Sequence, residues 1–345
     1  MSKKVTTHDI SSRLGISRNT VSKALNNHPS VSEETRRKVV EQAVAMGYKK
    51  SIPAADKPAA AVRGTRSIAF LTKMSVNAGY WMNLMRGVEE SLRGNGCEMK
   101  ISFINNEDIR SLVLPPMIGG PIDGFIVAGN LDKTYAEKLT ALPIPKVFID
   151  MHAAFPLTEL QTDLVLMESE ESVYRIVCHL IDSGHRDIAF MGDITSRSMF
   201  ERWKGFSRAM YERQVPLVPA YCITGHHASK YQSFEGVAEA LGALERFPTA
   251  LVCANDITAI HAIRFAKENR LNVPGDLAVS GFDRIKETEL LDVSLTTVSN
   301  DEFQLGLRAA EQLMYRIRRP DKPFEVIRLS TKIVLGESTR VRRDS

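Results

Sequence analysis

The chain of 345 residues lacks the segments that mark membrane and exported proteins. Nowhere do 18 or more apolar residues follow one another, as a membrane-spanning helix would require. The chain opens with Met-Ser-Lys-Lys and continues polar, without the apolar stretch of a secretory signal peptide. We therefore expect a cytoplasmic protein with no membrane partner.

The chain is also poor in cysteine and in catalytic signatures. Its four cysteines (Cys97, Cys178, Cys222 and Cys253) lie far apart, without a CxxC pair or metal-site spacing, so we predict free thiols and no bound metal. The sequence has no GxSxG, no HExxH, no Walker loop and no GxGxxG after a strand. We expect no catalytic site and no cofactor.

What the chain does contain is an uneven distribution of charge. Its length suggests two or three domains, and 43% hydrophobic with 25% charged residues is ordinary for folded proteins. Residues 1–66 hold thirteen Lys and Arg against five Asp and Glu, a net charge of +8, which leaves −4 for residues 67–345. A basic head on an acidic body is typical of a nucleic-acid-binding module joined to a second function. A solvated basic tail is the alternative.

The basic head has the pattern of three short helices. Thr6 followed three residues later by Asp9 resembles a capping box, the start of a helix. Gly15 can take the left-handed conformation that ends a helix. Ser17 is a good N-cap for a second helix over Arg18–Leu25, and a third helix is expected after Ser32. Two short helices joined by a tight glycine-containing turn predict a helix-turn-helix.

The second of these helices has a polar exposed face. In a helix-turn-helix, the second helix enters the major groove with its first residues at the base edges. Arg18 can make two hydrogen bonds to guanine and Asn19 two to adenine, whereas Lys23 suits a phosphate. Other short polar residues on this face suit phosphate or base contacts: Ser17, Thr20, Ser22 and Asn26. A small three-helix bundle that binds protein is the alternative.

This headpiece resembles that of the LacI/GalR family of bacterial transcription regulators. The matching segments are Val5-Thr6-Thr7-His8-Asp9-Ile10, Leu14-Gly15-Ile16-Ser17, Thr20-Val21-Ser22-Lys23-Ala24-Leu25-Asn26, Val31-Ser32-Glu33-Glu34-Thr35-Arg36 and Met46-Gly47-Tyr48. Double-stranded operator DNA is the implied partner, and a homodimer is expected because one headpiece reads half of a near-palindromic site. The resemblance places at the operator Ser17, Arg18, Asn19, Thr20, Ser22, Lys23 and Asn26, and close to the DNA backbone Thr7, His8, Ser32 and Thr35.

Residues 51–66 are typical of a linker, because they are rich in Pro, Ala and Lys. The family usually has a short hinge helix here, with a leucine that wedges into the minor groove. This chain has no such leucine, Pro58 interrupts the first half, and Val62 is the nearest substitute. We expect Val62→Ala to change operator affinity less than Asn19→Ala does.

From residue 67 onward, apolar strand patterns alternate with amphipathic helix patterns. The predicted strands are 67–74, 99–104, 122–128, 146–149, 187–191, 217–223, 250–254, 277–281 and 332–335. The predicted helices are 81–93, 133–141, 169–182, 202–212, 233–244, 257–269 and 302–318. The fold class that this alternation predicts is an all-α helix-turn-helix headpiece followed by an α/β body of two doubly wound parallel-sheet subdomains.

The body resembles the LacI/GalR family as well, in Gly-His-Arg-Asp-Ile-Ala-Phe (184–190), Cys-Ala-Asn-Asp (253–256), Val-Pro-Gly-Asp-Leu-Ala-Val-Ser-Gly-Phe-Asp (273–283), Leu-Thr-Thr-Val (295–298) and Glu-Ser-Thr (337–339). The resemblance implies a periplasmic-binding-protein-like fold with a small-molecule effector between the subdomains. The expected domains are a headpiece at 1–50, a linker at 51–66, and an effector-binding and dimerisation domain at 67–340. Within it, the N-subdomain is expected at about 67–165 and 299–325, and the C-subdomain at about 166–296 and 326–340.

The expected effector site lies at the carboxyl ends of the strands. Carried over position by position from the resemblance, its residues are Tyr80, Trp81, Asp150, Arg202, Tyr231, Asn255, Asp283 and Asn300, with Glu302 beside them. Carboxylates accept hydrogen bonds from sugar hydroxyls, Arg supplies a fixed fork of donors, and aromatic rings pack on apolar sugar faces. Asp256 also falls at the end of a strand. Helix capping is the alternative for Asp256 and Asp283, and a core or dimer contact for Trp81.

Several positions depart from the family's usual residues. Glu168 and Ser172 stand where the family more often has Asp and Gly, and Arg284 replaces a second acid after Asp283. Because Arg284 adds a positive charge at the expected cleft lip, an acidic or phosphorylated ligand is a hypothesis beside a neutral sugar.

Together these patterns predict a DNA-binding transcription regulator, in particular a repressor, controlled by a sugar or sugar derivative. The alternative is a solute-binding protein or an enzyme of the same α/β fold with an accessory DNA-binding domain.

Overall fold

A computed structural model describes residues 5–25, 31–46, 65–73, 78–225 and 230–340. Backbone contacts divide the chain into two units, Met1–Gly64 and Thr65–Ser345. Residues 51–64, which carry nearly all of the expected linker and its Val62, lie outside the described residues. In the parts of the chain that the structure describes, none of the helices combines the length and the apolar character that a membrane crossing requires.

The described residues of the first unit form three helices, α1 (Thr7–Leu14), α2 (Arg18–Leu25) and α3 (Glu33–Ala45). The predicted capping box is present, since Thr6 accepts the backbone N–H of Asp9 while Asp9 accepts that of Thr6. Gly15 ends α1 with a φ of 65°, the left-handed conformation that favours glycine. The core between the helices is built on four fully buried side chains, Ile10, Val21, Val39 and Ala43.

The second unit alternates strands and helices. Its strands are β1 (Arg66–Lys73), β2 (Cys97–Ile104), β3 (Gly124–Ala128), β4 (Lys146–Ile149), β5 (Asp163–Met167), β6 (Ile188–Met191), β7 (Cys222–Ile223), β8 (Ala250–Cys253), β9 (Ala278–Ser280), β10 (Thr297–Ser299), β11 (Val326–Leu329) and β12 (Lys332–Val334). Its helices are α4 (Ala78–Gly94), α5 (Asn106–Ser111), α6 (Lys133–Thr140), α7 (Glu170–Asp182), α8 (Arg197–Glu212), α9 (Phe234–Gly242), α10 (Asp256–Glu268) and α11 (Glu302–Arg318).

The larger sheet is parallel throughout, in the order β11-β5-β4-β3-β1-β2. Helices α4 and α11 cover one face and share an apolar core with it. They pack closely because glycines stand at the crossing: a Cβ on Gly87 would lie 2.0 Å from the carbonyl oxygen of Phe303, and one on Gly306 would lie 2.1 Å from that of Leu84. Helix α6 lies on the opposite face. This sheet and its helices form the first subdomain.

The smaller sheet has the order β7-β6-β8-β9 and is also parallel. Helices α7 and α8 pack on one face, and α9 and α10 on the other. An antiparallel pair, β10 with β12, adjoins this second subdomain. The chain crosses between the subdomains after β5, after β10 and after β11, so the predicted fold class of two doubly wound sheets is confirmed.

Some predicted elements need correction. Strands β5 and β11 were not expected, and they pair with each other at the edge of the larger sheet. Residues 326–329, expected in the C-subdomain, therefore belong to the first subdomain, as does all of β5. Of the strand expected at 217–223, only β7 forms, since Pro219–Tyr221 is a 3-10 turn. Helix α8 begins at Arg197 rather than 202, because Ser196 caps it.

Candidate functional site

The headpiece presents one polar face on α2. Arg18, Asn19 and Ser22 are exposed, whereas Val21, Ala24 and Leu25 on the opposite face are buried in the core. Lys23 is half-buried and His8 is exposed at the start of α1. Asn26, expected on the same face as Arg18, lies outside the described residues.

Several predicted DNA-contacting hydroxyls also hold helix ends. Ser17 Oγ accepts the backbone N–H of Thr20 at 3.0 Å, and the two hydroxyl oxygens are 2.8 Å apart. Ser32 and Thr35 repeat this arrangement at the start of α3, with distances of 3.3 and 2.9 Å. These contacts fix where α2 and α3 begin, and the operator contacts of all four residues stay predictions.

In the body, three predicted effector residues meet around the carboxylate of Asp283. Arg202 Nη2 lies 3.1 Å from Asp283 Oδ1, and Asn300 Nδ2 donates to the same oxygen at 3.1 Å. Arg202 comes from α8, Asp283 from the loop after β9, and Asn300 from the crossover after β10. Asp283 has a left-handed backbone, with a φ of 108°. Asn300 Oδ1 is buried and, among the described residues, meets no hydrogen-bond donor.

The guanidinium of Arg202 is held on several sides. Its carbon atom lies 3.6 Å from the ring centroid of Phe282, and its Nη1 donates to the carbonyl of Ala254. Arg202 is only 5% exposed, so its charge depends on the Asp283 carboxylate for compensation. The guanidinium of Arg202 is therefore fixed in place, and its positive charge is paired with the Asp283 carboxylate.

Two aromatic side chains of α4 lie on the first-subdomain side. The rings of Tyr80 and Trp81 meet edge to face, with centroids 5.3 Å apart. Burial, followed by the charge of Asp283, raises the pKa of the Tyr80 phenol above its usual value. Trp81 lies against the backbone of Gly129, at the end of β3, where a Cβ would come within 3.1 Å of the indole. The Trp81 ring also packs against the core around α4. Trp81 therefore makes the core contact that was the alternative, and its contact with an effector stays a prediction.

Asp150 follows β4 and connects the two subdomains. Its Oδ1 accepts the backbone N–H of Met151 at 2.8 Å and that of Ser198, in α8, at 3.1 Å. Burial raises the pKa of the Asp150 carboxyl, and these two hydrogen bonds oppose the shift. Beside it, the backbone N–H of Arg197 donates to the carbonyl of Met151 at 2.7 Å. The sequence did not single out Ser198, although it lies one helical turn before Arg202.

Other predicted effector residues have structural contacts. Asn255 caps α10, and its Oδ1 accepts both the N–H and the hydroxyl of Thr258 at 2.9 Å. The ring of Tyr231 packs in the core beside α9 and α10, and its Oη accepts the N–H of Gly225 at 3.2 Å. Their role toward an effector stays a prediction.

Asp256 is fully buried and structural. Its Oδ1 accepts the hydroxyl of Thr297 at 2.7 Å, and its Oδ2 accepts the N–H of Ile285 at 3.0 Å. Burial, followed by the charge of Asp283, raises its carboxyl pKa to about 7. It therefore holds the loop that carries Asp283, rather than facing a ligand itself.

Most of the ionisable side chains at the site are carboxyl groups. Burial raises the pKa values of the Asp283 and Glu302 carboxyls, and the charge of Asp283 adds to the shift of Glu302. Arg284, one residue on, is exposed. Two cavities of the body, of about 370 and 390 Å³, lie elsewhere, the first beside α7, α8 and β11 and the second beside α7 and β12.

Comparisons with known proteins agree with this architecture. Residues 6–51 match the family described as bacterial regulatory proteins, lacI family, and residues 177–339 match the periplasmic binding protein-like domain. Catabolite control protein A of Priestia megaterium is 28% identical over 340 residues, which cover 97% of this chain and 99% of that protein.

Two solved structures share the fold over nearly the whole chain. The transcriptional regulator CelR–cellobiose complex matches with a TM-score of 0.67 at 20% identity and covers 97% of this chain and all of that one. The lac repressor dimer bound to operator and the anti-inducer ONPF matches with a TM-score of 0.66 at 23% identity and covers 98% and 99%. The chain therefore belongs to the LacI family of bacterial regulatory proteins and is a DNA-binding transcription regulator with an effector-binding body.

Proposed function

We propose that the protein is a repressor whose operator affinity is set by a neutral sugar bound between the two subdomains. The arrangement around Asp283 supports this most directly. Asp283 and Asn300 Oδ1 offer acceptors for sugar hydroxyls, Arg202 supplies donors, and Tyr80 and Trp81 offer aromatic surface for an apolar sugar face.

The charge balance favours a neutral ligand over an acidic one. Arg202 is already paired with Asp283, while Asp150 and Glu302 add carboxylates whose charges reach Tyr80 in the same region. A phosphate or carboxylate on the ligand would meet like charges, which is unfavourable. Arg284, which led us to consider an acidic ligand, is exposed and carries one positive charge. The CelR complex, which holds cellobiose, is a fold relative with a neutral sugar.

On the DNA side, we propose that the protein acts in the cytoplasm as a homodimer on a near-palindromic operator. Residues 1–50 would bind DNA, 51–66 would link, and 67–340 would bind the effector and dimerise. Arg18 and Asn19 would read base edges, since they are the exposed side chains at the start of α2. The relatives are transcription regulators, which favours regulation over catalysis. The sugar would act through its different affinities for two arrangements of the subdomains.

A ligand panel on the full chain tests the effector proposal. Thermal unfolding is followed with neutral sugars, sugar phosphates and sugar acids, each at the same concentration. We expect a neutral sugar to raise Tm and to change affinity for an operator selected from random DNA. Asp283→Asn and Asn300→Ala should remove the Tm shift, whereas Asp292→Asn, an exposed surface residue, should keep it. Stabilisation by sugar phosphates or acids alone would refute the neutral-sugar proposal.

A further inference from the structure

The first residues of α1 and α2 are joined by one side-chain hydrogen bond. Arg18 Nε donates to Thr7 Oγ1 at 3.3 Å. Thr7 is half-buried, and Arg18 is exposed on the polar face of the headpiece. The family resemblance places Thr7 next to the DNA backbone, yet its hydroxyl oxygen is turned toward another side chain.

Neighbouring hydroxyls are engaged differently. Thr6 donates its hydroxyl to Asp9 at 2.7 Å within the capping box, and the hydroxyls of Ser17 and Thr20 bond to each other. These bonds stabilise helix starts within a few residues of sequence. The bond of Thr7 instead spans eleven positions and reaches a side chain that faces the DNA.

The bond restricts how the guanidinium can meet a base. A guanidinium offers two edges with paired donors, one that includes Nε and one formed by Nη1 and Nη2. With Nε–H given to Thr7, the second edge remains for a partner with two acceptors in one plane. The O6 and N7 atoms of guanine form such a pair in the major groove. Arginine also loses less conformational freedom on binding when it is already held.

We infer that Thr7 is a positioning residue that fixes Arg18 for end-on, bidentate contact with guanine. Thr7 then contributes to base specificity through Arg18, not through a phosphate. The inference rests on the proposed role of Arg18 as a base reader. It predicts that each operator half-site contains one guanine whose recognition depends on both residues.

The two roles of Thr7 give different binding patterns. A phosphate contact strengthens binding to every sequence alike and contributes to the salt dependence. A positioning contact affects discrimination at one base pair and leaves non-specific affinity unchanged. Since a hydrogen bond of this kind is worth only a modest net free energy, we expect Thr7 to alter discrimination about threefold to tenfold.

The test uses the full chain and a library of random double-stranded DNA. The wild-type selection gives an operator, and Arg18→Gln identifies the base pair at which preference for guanine is lost. Affinities are then measured for that operator and for the version with A·T at this position in both half-sites. Thr7→Val keeps the shape of the side chain, Thr7→Ser keeps the hydroxyl, and Ser12→Ala removes an exposed hydroxyl elsewhere on α1.

We expect Thr7→Val to reduce discrimination at the Arg18 base pair about threefold to tenfold, with unchanged affinity for random DNA. Thr7→Ser and Ser12→Ala should behave as wild type. An equal loss of affinity for both DNAs, with a shallower salt dependence, would show a phosphate contact and overturn the inference. If Arg18→Gln changes no base preference, the proposed role of Arg18 fails as well. If Arg18→Gln does and Thr7→Val does not, the inference alone fails.

Discussion

Glu201 and Arg328 form an ion pair that joins the two subdomains, with Arg328 Nη2 2.7 Å from Glu201 Oε1. Glu201 lies on α8 and Arg328 on β11 of the larger sheet. The Glu201 side chain is 6% exposed and that of Arg328 is 38% exposed, so the carboxylate depends on its partner more than the guanidinium does. The next residue along α8 is Arg202 of the effector site. The same turn of helix therefore contacts the first subdomain and holds Asp283.

Arg328→Gln should destabilise the fold by leaving the Glu201 carboxylate buried without its cation. We expect the free energy of unfolding to fall by about 1–3 kcal/mol, as measured by chemical denaturation. Glu201→Gln together with Arg328→Gln should recover part of the loss, because neither charge of this pair then remains. Arg110→Gln breaks an exposed pair with Glu107 and should cost at most about 0.5 kcal/mol. Equal losses for Arg328→Gln and Arg110→Gln would contradict this prediction.

Asp256→Asn should change how stability depends on pH. In the folded protein, the pKa of Asp256 is raised from 3.8 to about 7, so folding favours the protonated carboxyl. Its stabilising contribution is complete below about pH 4 and is lost as pH rises through about 7. Asn resembles the protonated form, because it can accept from Ile285 N–H and donate to the Thr297 hydroxyl.

We therefore expect the stability of Asp256→Asn relative to the wild type to increase between pH 5 and pH 8, in denaturation curves at both values. Asp292→Asn is the control. Because the hydrogen bond with Lys267 lowers the pKa of Asp292, the contribution of Asp292 to stability changes with pH only at acid pH and not between pH 5 and pH 8. A wild-type advantage that grows between pH 5 and pH 8 would contradict the direction of the Asp256 shift.

Gly129→Ala should disturb Trp81. Gly129 has a φ of 102°, which alanine adopts at a cost, and its new Cβ would lie 3.1 Å from the indole. The chain has two tryptophans, so a Trp203→Phe background reports the fluorescence of Trp81 alone. We expect a shifted emission maximum and weaker binding of any sugar that stabilises the wild type. Gly94→Ala meets open space and should leave the emission unchanged; an unshifted emission in Gly129→Ala would show that Trp81 does not depend on this contact.

The success of prediction from sequence depended on how local the determining contacts are. The capping box of Thr6 and the left-handed Gly15 involve neighbours in sequence, and the structure has both. Helix α11 and strand β4 fall at their predicted residues, because each has a clear apolar pattern. Strands β5 and β11 pair across some 160 residues, and their short patterns did not indicate that partnership.

The effector site shows the same limit. The cluster of Arg202, Asp283 and Asn300 was expected from the resemblance, but its hydrogen bonds depend on how helix α8 and two loops far along the chain come together. Asp150 accepts the backbone N–H of Ser198. Every residue except proline has a backbone N–H, so the residue type at position 198 could not indicate this contact. Asp256 had two interpretations, effector contact and helix capping, and its contacts with Thr297 and Ile285 correspond to neither, since Asn255 caps α10.

Two residues that depart from the family's usual pattern take part in a hydrogen-bond relay between crossovers. Glu168 Oε2 accepts the hydroxyl of Ser172 at 2.9 Å, and the hydroxyls of Ser172 and Thr331 are 2.7 Å apart. The hydroxyl of Thr331 also lies 3.2 Å from the backbone carbonyl oxygen of Glu168, so its single proton has two acceptors within reach. The backbone N–H of Glu168 also donates to the carbonyl of Leu329 at 2.7 Å. The crossovers after β5 and β11 are thus held together.

Because the relay acts as one unit, its members should not contribute additively. We expect Ser172→Ala to lower the free energy of unfolding by about 1 kcal/mol and Thr331→Val by a similar amount. The double variant should lose less than the sum of the two, because Ser172→Ala already removes one of the two partners of the Thr331 hydroxyl. Thr331→Ser keeps the hydroxyl and should resemble the wild type. Additive losses in chemical denaturation would show that Ser172 and Thr331 stabilise the crossovers independently.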